Sequence, residues 1–202
     1  MRLGEWDAIR GELLSMAEED LQVRSELAKD GSLFEGYHPR MRATHDANAT
    51  RLQSILDSLG WPGERQVGHE AAEAAWRIVQ HAIAQPNLQR RALELLRVAV
   101  DHGDAPAAHA AMLEDRIRTF EGRPQRYGTQ FDWDAEGQLS PLPIENPMGV
   151  DLRRLQVGLG QLEEAIRAHR KVVSQEGGGP PADWHARQRE MTAWYREVGW
   201  RG

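Results

Sequence analysis

Along most of this chain apolar residues recur every three to four positions, the spacing of one buried helix face. The first such segment runs from about Glu5 to Ala28 and ends near Asp30-Gly31. A second, from about Pro39 to Leu59, opens with proline at its first turn and stops at Gly60 before Trp61-Pro62. A third, roughly His69 to Ala84, is alanine-rich and apolar almost all round. Pro86 starts a fourth that lasts to about His102 and stops at Gly103, and Pro106 opens a fifth that reaches Phe120 before Gly122 and Pro124. The pattern then changes. YGTQFDWDAEGQLSPLPIENP mixes alternating and aromatic residues with three prolines and an Asp-Ala-Glu-Gly turn, which predicts an extended arm or short hairpin around 125–145. Helical spacing returns from about Met148 to Val173, with Gly158 and Gly160 as a break. GGGPP at 177–181 is a connector to a last helix, about Asp183 to Glu197. The expected fold is a mainly all-α bundle forming a single domain over 1–202: a helical core at about 5–122, an arm at 123–147 and C-terminal helices at 148–202.

Several polar residues lie on these apolar stripes. Leu52, Ile55 and Leu59 mark the inner face of the second segment, and the same stripe runs back through Asn48, His45 and Met41. On the fifth segment His109 and Arg116 share a stripe with Leu113 and Phe120, while Asp115, one position away, is expected to face solvent. Gln80 and His81 interrupt the apolar third segment, and Gln89 shares a face with Ala92, Leu93 and Leu96. A buried guanidinium needs an anionic or hydrogen-bonding partner. A single inward histidine is more often a satisfied core residue than a catalyst. Here, however, the stripes carry several polar groups at once. The loop EGRPQRYGTQ, with Gln125, Tyr127, Thr129 and Gln130, follows directly on one of them. Buried polar networks of that size concentrate at functional sites.

Composition narrows the chemistry. The 202 residues include no cysteine, which excludes disulfides, thiolate metal sites and a cysteine nucleophile. No apolar run is long enough to cross a bilayer, and Glu5, Asp7 and Glu12 interrupt the N-terminal stretch, so the expected compartment is the cytoplasm and no membrane partner is expected. The net charge is −6, and the 25 basic residues, only two of them lysine (Lys29 and Lys171), are interleaved with acids. That pattern argues against a nucleic-acid partner. No G-x-S-x-G motif supports a serine nucleophile, and no local metal motif occurs.

Four stretches, GWP (60–62), AAWRIVQHA (74–82), HAAMLEDR (109–116) and GRPQRYGTQF (122–131), together resemble a bacterial family of unknown function, over roughly residues 45 to 160. The resemblance associates Gln80 and His81 with His109, Asp115 and Arg116 and with Gln125, Tyr127, Gly128, Thr129 and Gln130. It implies a shared site and supplies no reaction.

These residues fit a small-molecule-processing enzyme that uses histidine general acid–base catalysis in a polar pocket of the second, third and fifth segments, without a cofactor. His81, His109 and His45 are the acid–base candidates. Arg116, Gln125, Tyr127, Thr129, Gln130, Asn48, Gln80 and Gln89 are the substrate-binding candidates, and the 121–130 loop is the expected wall or lid. One alternative is a divalent metal ion held by His45, His81 and His109. Another is a non-catalytic small-molecule-binding or interaction module, with Trp184, Trp194 and Trp200 as packing anchors or as a partner surface.

Overall fold

The computed structural model describes residues 3–29, 31–32, 37–175 and 178–202. The expected helix end at Asp30 and the first glycine of the 177–181 connector lie outside them. The structure is mainly helical: α1 (Leu3–Lys29), α2 (Pro39–Leu59), α3 (Glu64–Val67), α4 (His69–His81), α5 (Pro86–Asp101), α6 (Ala107–Phe120), α7 (Val150–Gln156), α8 (Leu162–Gln175) and α9 (Trp184–Glu197), with β1 (Phe131–Trp133) and β2 (Leu139–Pro141) between α6 and α7. The chain divides into two compact units, Met1–Ala105 and Pro106–Gly202.

In the first unit α4 packs against α1, α2 and α5. Its small face makes that possible, because Ala71, Ala74 and Ala75 let neighbouring backbones approach while Ile78 and Val79 fill the core. The face of α1 turned inward carries Ile9, Leu13, Met16 and Ala17, and the same stripe continues through Asp20 to Leu27. At the start of α2 the His38 ring accepts from the Arg40 amide at 3.1 Å, with Pro39 in the first turn. Gly60, at φ +81°, ends the helix in a conformation that suits glycine. The short α3 escaped the periodicity argument because one turn carries no period. A side chain organises it: Asp104 accepts from the Arg65 amide at 2.8 Å.

In the second unit β1 and β2 form an antiparallel hairpin, pairing Phe131 with Pro141 and Trp133 with Leu139. The Asp134 carboxylate accepts from the Glu136 and Gln138 amides, and Gly137 takes φ +74° in the same turn. The expected break at Gly158 and Gly160 separates α7 from α8. Phe120, Trp194, Tyr195 and Trp200 form an aromatic cluster, and the Trp184 indole donates to the Trp133 carbonyl at 2.7 Å. Trp200 is buried in this cluster, while Trp184 and Trp194 are half-buried. No helix among the described residues is long and apolar enough to cross a membrane.

Candidate functional site

The first unit gathers one carboxylate and two imidazoles. Asp20 comes from α1, His45 from α2 and His81 from the last turn of α4. One Asp20 oxygen meets His45 Nε2 at 3.3 Å, and the other makes a short contact with His81 Nδ1. The two rings lie 4.9 Å apart between centroids, tilted by 38°. On the far side of His45, Nδ1 meets the Tyr37 hydroxyl at 2.8 Å. Exposure is graded through the group: the side chain of Asp20 is 2% exposed, His45 12% and His81 35%.

Burial alone would raise the Asp20 carboxyl; hydrogen bonds from His45 and His81, joined by the positive charge of either ring when it is protonated, overcome it and hold the group well below the usual carboxylate range. Burial raises the Tyr37 hydroxyl, and the neighbouring Asp46 charge adds to the rise. Tyr37 is thus a proton-bearing hydroxyl at neutral pH. Because the ionised carboxylate only accepts, both ring nitrogens that face it carry protons. His45 Nδ1 then accepts from Tyr37, and the proton-free nitrogen of neutral His81 is Nε2. That nitrogen has no hydrogen-bond partner among the described residues. Beside this group, Asp46 accepts from the Gln85 amide at 3.4 Å and lies 3.8 Å from the Arg42 guanidinium.

The other inward amides of this unit have structural partners. Asn48 donates to the Met16 carbonyl, tying α2 to α1, and Gln89 donates to the Val79 carbonyl, tying α5 to α4. Gln80 is buried on α4.

His109 belongs to the second unit, on α6, with Arg116 and the 121–130 loop. Within the first unit the structure brings His45 and His81 together with Asp20 as the third member. Burial lowers the Arg116 guanidinium to about 10, while Tyr195 works against that shift. The expectation that Asp115 faces solvent is corrected: it is fully buried. Its carboxylate accepts from the amides of Arg126 (2.6 Å), Tyr127 (3.1 Å) and Thr129 (3.1 Å) and from the Thr129 hydroxyl (3.0 Å). The apolar stripe marks one buried face of α6, and the loop after α6 folds back and covers a second side of that helix.

Gln125 is also fully buried, and both its N–H groups are taken by the Gln130 and Leu142 carbonyls. That fits a clasp and not a ligand contact. Gln130 returns its amide to the Gln125 side-chain oxygen and its side chain to the Thr129 hydroxyl. From α7, Arg153 and Arg154 donate to the carbonyls of Arg126, Tyr127 and Gly128. Much of the loop's hydrogen-bonding density holds the loop itself. A cleft of about 280 Å³ in this unit, bounded in part by Thr119, Asp132, Met191 and Tyr195, is lined by none of the candidate residues.

Sequence reasoning missed Asp20 and Tyr37. The first left a legible signal, since Asp20 falls four residues after Met16 and three after Ala17 on an otherwise apolar stripe. Tyr37 left none, because it precedes α2 in a stretch without periodicity.

A family model covers residues 7–174, and the chain belongs to that family, the family of unknown function DUF6624. No curated protein and no solved structure matches the chain.

Proposed function

We propose that this member of a family of unknown function is a cytoplasmic small-molecule-processing enzyme whose acid–base group is His81, oriented by Asp20. One observation carries the reading: His81 Nδ1 meets a buried carboxylate, and His81 is the most exposed side chain of the three, so the ring that gives its Nδ1 proton to Asp20 keeps a lone pair at Nε2. A neutral imidazole held in that tautomer takes a proton from a substrate or water at Nε2, and Asp20 stabilises the imidazolium that results. The proton is returned from the same nitrogen in the second half of the reaction. His45 and Tyr37 are positioning residues, because His45 holds the other carboxylate oxygen against rotation and Tyr37 in turn holds the His45 ring. Arg42, Asp46 and Gln85 offer polar contacts beside the group.

The test is a turnover screen with pooled small polar metabolites, following both product formation and thermal shift in metal-stripped protein. General acid–base catalysis contributes about 10²–10⁴-fold. A product whose rate falls by at least about 100-fold in His81→Gln is expected. Equal turnover in His81→Gln would overturn the assignment, and a ligand that stabilises the protein without turnover would establish a binding module instead.

A further inference from the structure

We infer that Asp20, His45 and His81 also form a site for one divalent first-row transition ion, and that the ion and the acid–base tautomer of His81 exclude each other. The exclusion rests on the reading above; the ion site does not.

The donor set is one carboxylate oxygen and two imidazole nitrogens drawn from three helices, all within 4.8 Å of one another. Oxygen and nitrogen ligands on a shared ion at about 2.0–2.2 Å stand about 3.0–3.5 Å apart. The His45–Asp20 separation of 3.3 Å is already in that range. His81 meets the other oxygen of the same carboxylate, so an ion between the rings either takes both oxygens or turns the carboxylate to present one of them to both rings. Two imidazoles with one carboxylate and no thiolate select zinc, iron(II) or cobalt over magnesium or calcium, which take oxygen ligands. Three protein ligands leave coordination positions open. The exposure gradient puts the opening on the His81 side, because Asp20 is the innermost member. One carboxylate against a divalent ion leaves the centre with a net positive charge, so the open position suits an anionic ligand.

The surroundings of His45 meet the further demand of such a site. A ligating imidazole donates its other N–H to a nearby acceptor, which fixes the ring. His45 Nδ1 lies 2.8 Å from the Tyr37 hydroxyl, which can accept as readily as it donates. On His81 the consequence is different. An ion at Nδ1 moves the proton to Nε2, and the lone pair required of the base disappears. Ion binding would therefore convert a base site into a Lewis-acid site.

The test titrates chelator-stripped, full-length protein with zinc and with cobalt, and with magnesium for comparison. One zinc or cobalt site per chain is expected, weakened at least about 100-fold in Asp20→Ala, His45→Ala and His81→Ala and unchanged in His69→Ala and His109→Ala. Helical content is checked for each variant, and Asp20→Asn and His81→Gln stand in for any that fail to fold. Imidazole nitrogen spectra should show the His81 proton moving from Nδ1 to Nε2 on zinc addition. No zinc or cobalt binding, or binding indifferent to these three residues, overturns the inference and leaves the acid–base reading intact. Turnover found only with the ion bound supports the ion site and overturns the acid–base reading. Turnover in stripped protein that zinc suppresses supports both.

Discussion

Replacing Asp115 tests whether the loop after α6 is organised by one buried carboxylate. Asp115→Asn keeps one oxygen, and with it an acceptor for the Arg126 and Tyr127 amides. Its new amide group faces the Thr129 N–H, which cannot accept, whereas the Thr129 hydroxyl can turn to do so. One backbone donor is lost and the charge is removed. A hydrogen bond to a charged group is worth about 1.5–3 kcal/mol. Burial pushes the Asp115 carboxyl above its ordinary value and its four donors oppose that, so removing the charge also relieves some desolvation. A cost of about 2 kcal/mol follows for asparagine. Asp115→Ala strips the acceptor from three amides and a hydroxyl and leaves a void. Because the loop is half-buried, water will replace part of this, and the cost should be about 4 kcal/mol. Against a typical stability of about 5–15 kcal/mol, that is a large loss. Urea denaturation gives both values, and hydrogen exchange at the amides of 126, 127 and 129 locates the effect. An alanine variant within about 0.5 kcal/mol of wild type, with those three amides still protected, would refute the reasoning.

Other outcomes follow from single contacts. Gly128→Ala forces a side chain into φ +68° and brings a methyl within 2.8 Å of Leu162 and 3.0 Å of Ile144, so a loss of about 1–3 kcal/mol is expected in thermal or urea unfolding. Gly63→Ala drives a methyl into the Asp104 carboxylate that accepts from the Arg65 amide; the expected result is a similar loss, with exchange of the Arg65 amide accelerated. The folded pKa of Asp20 is depressed below its ordinary 3.8, so its stabilisation is fully present above about pH 4 and is lost as pH falls through the folded value. Acid unfolding should accordingly be less steep in Asp20→Asn than in wild type, and identical acid limbs would remove the claim.

Much of the helical scaffold was legible because its signals are local. Pro39 and Gly60 bracket α2 where the sequence placed it, and Gly158 and Gly160 part α7 from α8. His45 and His81 were legible as polar interruptions of apolar stripes, and the structure joins them. Their partner Asp20 follows from the same rule applied to α1, yet its contact with a residue 61 positions away is tertiary, and spacing along one helix does not encode it. Asp115 was misjudged for a related reason. A stripe assigns one buried side to a helix, whereas the irregular loop around Tyr127 covers another, and such loops carry no period to read.

The central claim is the state of the His81 ring, and imidazole nitrogen NMR of metal-stripped protein near neutral pH measures it directly. The account predicts that the His81 ring, in its neutral form, keeps its proton on Nδ1 and leaves Nε2 bare, and that this preference is lost in Asp20→Ala. A neutral ring with its proton on Nε2, or a tautomer indifferent to Asp20, would contradict it.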